Sequence, residues 1–134
     1  MADVHLNCDK CDGKRFKQEI LEIEFFEKNI SDILNMSVDQ AIDFFIKNDK
    51  KMIADKIQPL KNVGLGYIKL GQSSNTLSGG EAQRTKIASF LSKGNTHNKI
   101  LFIFDEPTTG LHFNDIKKLL HSFYSLIDKG HSII

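Results

Sequence analysis

The stretch KILFIFDEPTTG at residues 99–110 decides the fold. Its apolar run at residues 100–104 is unbroken, and the carboxylates of Asp105 and Glu106 follow it directly. Such a run is typical of a buried parallel strand that ends at the carboxyl edge of a sheet, where nucleotides usually bind. The stretch therefore predicts an α/β fold with residues 100–104 as the central strand. An alternative is that Asp105 or Thr108 caps the next helix.

The chain beyond this strand predicts a strand-helix-strand unit. Apolar residues at helical spacing predict a helix that Lys129 and Gly130 close. These residues are Ile116, Leu119, Leu120, Phe123 and Ile127. Residues 132–134 begin a second strand, which we expect to be parallel because a crossover helix separates it from the first.

A second stretch, LSGGE at residues 77–81, begins another helix. Ser78 and Glu81 have the spacing of a capping box, so one interpretation is an ordinary helix N-terminus. That interpretation does not account for Gly79 and Gly80, since a glycine inside a helix costs about 1 kcal/mol relative to alanine. Close approach of an anion such as phosphate to the N–H groups of the helix end accounts for them.

We expect the helix after LSGGE to pack through its apolar residues and to end near residues 93–94, where a glycine suits the C-cap. Its apolar residues are Ala82, Ile87, Ala88 and Leu91. The polar residues Gln83, Arg84 and Lys86 are expected to face solvent or a partner.

Together the two stretches resemble the signature motif and the Walker B strand of ABC-type ATPases. Three further stretches narrow the resemblance to the UvrA family of excinuclease ATPases, which recognise damaged DNA in bacterial nucleotide-excision repair. They are CDKCDGKRF at 8–16, GLGYIKLGQ at 64–72 and TGLH at 109–112. The resemblance runs from residue 3 to the last residue. It implies a partial ABC-ATPase domain from the C-terminal half, with a parallel-sheet Walker B portion and a helical signature portion.

Two other ABC-type ATPases fit less well. A transporter ATPase has no reason for a cysteine pair before its signature motif. A zinc-hook repair ATPase would separate its cysteines from the signature by a heptad-patterned coiled coil, whereas residues 12–76 hold Pro59 and several glycines.

The resemblance implies roles for the residues after the central strand. Asp105 would hold Mg²⁺, directly or through water, and Glu106 would orient and polarise the water that attacks ATP. His112 would lie in a loop at the dimer interface, or simply at the N-terminus of the next helix.

The resemblance also implies that Ser78, Gly79, Gly80 and Glu81 contact the phosphates of ATP bound by the opposing domain. No Gly-x-x-x-x-Gly-Lys-Ser/Thr motif occurs in the sequence, so no loop in it would cradle phosphates. We therefore expect this chain to be inactive alone and to retain neither ATP nor zinc. We also expect marginal stability or self-association through an exposed edge of residues 100–104.

Cys8 and Cys11, with Gly13 two residues further on, form half of a zinc knuckle. A structural zinc site needs four ligands, and the resemblance implies a second cysteine pair upstream. His5 is a weaker third candidate, since a lone histidine on a short strand is more often solvated. A redox pair is a further alternative, although the residues after Cys11 do not open a helix as they would in a thioredoxin-like pair.

The segments between these motifs predict three units: 1–30 with the zinc-knuckle half and a β element, 31–94 as a helical signature subdomain, and 95–134 as the Walker B portion.

We expect strands at residues 3–7 and 21–25, with a turn at 27–29. Ser31 would cap a short helix, and Ser37 with Gln40 forms a capping box. The helix that follows would bury Val38, Ala41, Ile42 and Phe45. Pro59 is expected to break a later helix near residue 58.

The composition fits one soluble, cytoplasmic domain of 134 residues with 40% hydrophobic residues and no segment long enough to span a membrane. Eighteen Lys and Arg against 17 Asp and Glu give no overall basic field, so any DNA contact must be local or elsewhere in a longer protein.

The resemblance implies three partners in the response to DNA damage: double-stranded DNA, a second copy of the protein, and a UvrB-type repair subunit. A competing hypothesis is a zinc-knuckle module that binds DNA or protein without ATPase activity.

Overall fold

The computed structural model describes residues 8, 11, 13–92 and 99–134, which fold as helices around a small parallel sheet. The expected strand at residues 3–7 lies outside this part of the chain. The described elements are α1 (Gln18–Leu21), α2 (Ile30–Asn35), α3 (Val38–Lys47), α4 (Lys51–Asn62), a 3₁₀ turn (Ser74–Thr76), α5 (Gly79–Ser92), β1 (Leu101–Phe102), α6 (Phe113–Asp128) and β2 (Ser132–Ile133). None of the helices described is long and apolar enough to cross a membrane.

Helix α3 forms as its sequence predicts. The Ser37 N–H donates to Gln40 Oε1 at 2.9 Å and the Gln40 N–H donates to Ser37 Oγ at 3.2 Å, so the capping box is confirmed. The four apolar residues of its predicted face, Val38, Ala41, Ile42 and Phe45, are all buried. The cap of α2 was predicted wrongly: Asn29, not Ser31, accepts the N–H groups of the first turn.

The predicted strand at residues 21–25 is wrong. Leu21 ends the short helix α1, and Ile23 is 70% exposed. Phe25 forms only an isolated bridge with Lys28, across a tight turn in which Phe26 has a positive φ of 47°. Alternating residues make a strand only where a partner strand accepts their hydrogen bonds, and the described part of the chain provides none here. The predicted turn at residues 27–29 overlaps this tight turn.

Pro59 lies inside α4 and does not break it. Pro59 has no N–H to donate to the carbonyl of Asp55, a residue that is itself exposed. Ile57 and Leu60, on either side of the proline, pack against the core. The Val63 N–H still donates to the Pro59 carbonyl at 3.2 Å, so the last turn closes normally. Packing of the helix outweighs the lost bond.

Strands β1 and β2 pair in parallel, with α6 as the crossover, as the sequence predicts. The ladder continues past β1, since the Phe104 N–H donates to the Ile134 carbonyl at 2.9 Å. Phe102 is 8% exposed, but Leu101 and Ile103 are 54% and 74% exposed. The prediction of a buried strand at residues 100–104 therefore holds only for the face that carries Phe102, and β1 itself is shorter than predicted.

Helix α6 packs through part of its predicted face, since Phe123 packs against the core as expected. Leu119 is buried as expected, whereas Leu120 and Ile127 are 44% and 47% exposed. Leu126 and Ser122 are buried instead, and the Ser122 hydroxyl donates to the carbonyls of α6 and of α4. The buried face of α6 is therefore rotated by part of a turn toward Ser122. The spacing of apolar residues cannot predict this rotation, because serine is polar.

One continuous core holds α5 against the sheet. Ile87 of α5 and Leu119 of α6 are fully buried in it, together with Leu65 from the loop before α5. Phe90 of α5 packs edge-on against Phe102 of β1, with ring centroids 5.0 Å apart. The N-terminus of α5 is thereby fixed relative to the residues that follow β1.

Candidate functional site

The N-terminus of α5 is closed by Ser78 and Glu81. The Ser78 N–H donates to Glu81 Oε2 at 2.8 Å, and the Glu81 N–H donates to Ser78 Oγ at 3.3 Å. The capping box predicted from the sequence is confirmed. The box occupies two of the orphan donors at the start of the helix, while the surface over Gly79 stays open.

Gly79 and Gly80 have different surroundings. A Cβ built on Gly79 meets no described atom within 4 Å, so nothing in this part of the protein requires a glycine there. A Cβ on Gly80 would lie 3.2 Å from Arg84 Nη1 and 3.7 Å from the Thr109 carbonyl oxygen. The open space at Gly79 is what close approach of a ligand to the helix end would need.

Tyr67 reaches the same helix end from the preceding loop, and sequence reasoning did not single it out. Its hydroxyl donates to Glu81 Oε1 at 2.5 Å. This hydrogen bond, more than any other contact, lowers the pKa of Glu81 below its ordinary value of 4.5. Partial burial, followed by the bond to Glu81, raises the pKa of Tyr67 above 10.0. Neither residue spacing nor residue type marks this pair in the sequence, because the two residues are 14 positions apart.

Gln83 and Arg84 connect α5 to the loop at residues 105–110. Gln83 Nε2 donates to the Asp105 carbonyl at 3.3 Å, and Arg84 Nη1 donates to the Pro107 carbonyl at 3.5 Å. Arg84 is only 3% exposed and contacts a loop of its own chain, so the expectation that it faces solvent or a partner is wrong. The loop folds back over α5 and covers the guanidinium. The LSGGE and DEPTTG stretches are therefore neighbours within this chain.

Asp105 and Glu106 are both exposed after the end of β1. The Thr109 hydroxyl donates to Glu106 Oε2 at 3.2 Å, and Glu106 has a positive φ of 44°. Glu106 is one of five described residues other than glycine with a positive φ, and such a backbone costs on the order of 1–3 kcal/mol. Two carboxylates thus stand at the carboxyl edge of the sheet, one of them held by a threonine.

Neither Asp105 nor Thr108 caps the next helix, so that alternative is wrong. The N-cap position of α6 belongs to His112, whose side chain makes no capping hydrogen bond. His112 is exposed at the start of the helix. The Asp105 carboxylate is exposed, and carboxylate oxygens are the ligands that Mg²⁺ prefers.

Cys8 and Cys11 lie on a tight turn. The Cys11 N–H donates to the Cys8 carbonyl at 3.2 Å, and Gly13 takes the positive φ of 73° that its position predicts. Two thiols on such a turn suit half of a zinc site. Among residues 8, 11, 13–92 and 99–134, however, no group of three or more metal-binding side chains comes together. His5 lies outside these residues, and a complete zinc site is not formed by the described side chains.

A cavity of about 320 Å³ lies next to this turn. Three cationic side chains contribute to its wall: Lys14, Arg15 and Lys69. Its other walls include Ser31, Gln72, Ser73 and Thr76. Sequence reasoning missed this cluster because Lys69 is more than 50 positions from Lys14 and only the fold brings them together.

Comparison with known proteins gives consistent matches. A family model described as ABC transporter matches residues 3–109. The UvrABC system protein A of Haemophilus influenzae is 54% identical over 134 residues, which is all of this chain and 14% of the relative. The corresponding protein of Aquifex aeolicus is 53% identical over the same coverage. A crystal structure of UvrA2 from Deinococcus radiodurans is 43% identical, with a TM-score of 0.79 over 95% of this chain and 15% of that one. The chain thus spans about one seventh of the length of these relatives.

Proposed function

Because this chain belongs to the ABC transporter family of ATPases, and within it to the UvrA proteins, we propose that it supplies two half-sites for ATP in a protein of nucleotide-excision repair. One half-site is the N-terminus of α5. The other is the pair of carboxylates after β1. The preference for UvrA over a transporter ATPase, made from the cysteine pair, is confirmed by the relatives.

At the first half-site, the start of α5 faces the phosphates of ATP held by an opposing domain. Gly79 and Gly80 present backbone N–H groups and Ser78 presents its hydroxyl, and the helix dipole adds a partial positive charge. Glu81 contributes differently, because both of its carboxylate oxygens already accept hydrogen bonds within the chain. An ionised carboxylate has no hydrogen to donate to phosphate, so Glu81 shapes the helix end.

At the second half-site, Asp105 and Glu106 divide the work. Asp105 supplies an exposed carboxylate of the kind that binds Mg²⁺, and the metal when bound would neutralise charge on the phosphates. Glu106 orients the attacking water and accepts its proton, and the Thr109 hydroxyl fixes the Glu106 carboxylate for this role. His112, exposed at the start of α6, faces the opposing domain.

The chain alone is inactive in this proposal. Phosphoryl transfer needs a loop and a lysine that hold the β- and γ-phosphates, and no Gly-x-x-x-x-Gly-Lys-Ser/Thr motif occurs in the 134 residues. The two half-sites also belong to different ATP molecules, since the signature motif acts on the nucleotide of the opposing domain.

The observation that carries the proposal is the contact between the two stretches. Gln83 and Arg84 hold the loop with Asp105 and Glu106 against the same helix whose open Gly79 faces outward. An ordinary helix cap requires neither that contact nor two exposed carboxylates.

The test uses the Haemophilus influenzae relative with its matching segment replaced by this chain, here called the host protein. Glu106→Gln in the host should abolish ATP turnover and leave ATP binding intact. Glu24→Gln is the matched control, because Glu24 is exposed and distant in sequence from both half-sites. Turnover that survives Glu106→Gln would contradict the proposal.

The partners of the longer protein are also part of this proposal. They are double-stranded DNA, a second copy of the same protein and, in the cytoplasm, a UvrB-type repair subunit. Zinc would bind Cys8 and Cys11 only together with a second ligand pair, because the described residues do not complete the site.

The basic cavity favours a second candidate function, a DNA-binding module next to the cysteine turn. Lys14, Arg15 and Lys69 would contact phosphates of the DNA backbone. Neutral variants of these residues should weaken the binding of short duplex DNA and reduce its salt dependence, measured by fluorescence anisotropy. Lys51→Ala and Lys56→Ala, exposed on α4, are the controls. Equal affinity in both sets would contradict this function.

A further inference from the structure

The loop before the 3₁₀ turn holds Tyr67 in a fixed place. Leu65 is fully buried and Ile68 is 8% exposed, so the residues on both sides of Tyr67 are anchored in the core. Gly66 lies so close to Asp39 that a Cβ would clash with the carboxylate, and the Asp39 N–H donates to the Gly66 carbonyl at 2.9 Å. The backbone at Tyr67 is therefore constrained, although its ring is 59% exposed.

From this loop the Tyr67 hydroxyl donates to Glu81 Oε1, and the Ser78 N–H donates to Glu81 Oε2. Both oxygens of one carboxylate are thus held from two different elements. A hydrogen bond to an ionised group is stronger than one between neutral groups. The pair fixes the orientation of Glu81, and through it the position of Ser78 at the start of α5.

The charge at this position matters for an anion that approaches the helix. A carboxylate one residue from Gly80 opposes the approach of phosphate. Tyr67 keeps this carboxylate turned toward the Ser78 N–H, and the guanidinium of Arg84 in the next turn offsets its charge and lowers the pKa of Glu81 further. The helix end can then present the N–H groups of Gly79 and Gly80 with less repulsion.

We propose that Tyr67 is a positioning residue for the phosphate-facing end of α5: its hydroxyl holds the capping carboxylate of Glu81 so that the helix end can engage the γ-phosphate of ATP. This inference rests on the proposed function of the helix end. Tyr67 itself touches neither the nucleotide nor the attacking water.

The effect should separate turnover from nucleotide affinity. ATP affinity comes mainly from the phosphate loop of the opposing domain, whereas the end of α5 acts when the two domains close. In the host protein, Tyr67→Phe should lower kcat for ATP by about tenfold, as expected for loss of one hydrogen bond to a charged group. The Kd for ATP should change by less than about twofold, because no group that binds the ground state is removed.

The chain offers a matched control in Tyr124→Phe, since the sequence has two tyrosines and Tyr124 is 63% exposed on α6. That variant should keep the kcat of the unmodified host. In the Glu81→Gln background, Tyr67→Phe should have little further effect on kcat, because the charged acceptor is already gone. Thermal unfolding of each variant confirms that it is folded.

The outcomes separate the inference from the function on which it rests. An active host whose kcat is unchanged by Tyr67→Phe would overturn the inference alone. The inference would also be overturned if the double variant lost as much kcat as the losses of Tyr67→Phe and Glu81→Gln combined, since the two residues would then act independently. A host that does not hydrolyse ATP, beside an active unmodified relative, would overturn the proposed function and the inference with it.

Discussion

The substitution Gly79→Ala separates the two interpretations of the LSGGE stretch. If Gly79 serves only as the first residue of a helix, alanine should be tolerated or better. If it leaves room for a phosphate, the added methyl group should block the ligand while the fold is unaffected. The structure gives both expectations a magnitude.

The stability of the chain should rise. A Cβ on Gly79 meets no described atom within 4 Å, and the residue lies at the start of α5 with no positive φ. Gly to Ala at a compatible position stabilises by about 0.4–1 kcal/mol, mainly by restricting the unfolded chain. For a domain of this size that corresponds to a rise in Tm of about 2–5 °C. Thermal unfolding followed by circular dichroism measures it.

Gly130→Ala is the control for the backbone effect. Gly130 is equally open, but its φ is +86°. The same methyl group should therefore destabilise the chain there, by about 1 kcal/mol.

The activity of the host protein should fall although the stability rises. Gly79→Ala places a methyl group where the phosphate would approach, and loss of one aligned donor costs on the order of 100-fold in kcat. A steady-state ATPase assay of the host measures this loss. Wild-type turnover in Gly79→Ala would refute the phosphate interpretation, and a lower Tm would refute the inference that the site is sterically open.

Three further predictions rest on the same geometry. Glu106→Gln in the host should lower kcat by at least about 100-fold with ATP binding retained in equilibrium dialysis, because the water loses its base. Because the pKa of Glu81 is lowered in the folded chain, its carboxylate adds stability that is complete above pH 4.5 and is lost as the pH falls below that value. The free energy of unfolding of Glu81→Gln should therefore fall less steeply in acid than that of the unmodified chain. The same dependence of stability on pH in both chains would contradict this prediction. Atomic emission should find well under one zinc ion per purified chain, because the described residues do not form a complete zinc site. Replacing Cys8 and Cys11 by serine should leave the Tm unchanged. One zinc ion per chain would contradict this prediction.

Local signals in the sequence predicted the parts of the fold that depend on local contacts. The capping boxes of α3 and α5 each need only residues three positions apart, and both are present. The order strand, helix, parallel strand follows from the handedness and length of a crossover, and β1, α6 and β2 obey it.

The errors arose where distant residues decide the outcome. Pro59 stays helical because its neighbours Ile57 and Leu60 pack against the core, and Arg84 is buried because a loop more than 20 positions away covers it. Tyr67 and Lys69 acquire their contacts only through the fold. The residues at 21–25 alternate like a strand but find no partner in the described chain. The motif residues Ser78, Gly79, Gly80, Asp105 and Glu106 enter the proposed function with the roles that the resemblance implies. Glu81 does not, because both of its carboxylate oxygens are occupied within the chain. The residues that position this site had no sequence signal.

The measurement that tests the central claim most directly is ATP turnover by the purified 134-residue chain beside the host protein that contains it, both with Mg²⁺. We predict no turnover by the chain and Glu106-dependent turnover by the host, because the chain carries two half-sites and no phosphate loop. Turnover by the chain alone would contradict this account, as would host turnover that survives Glu106→Gln.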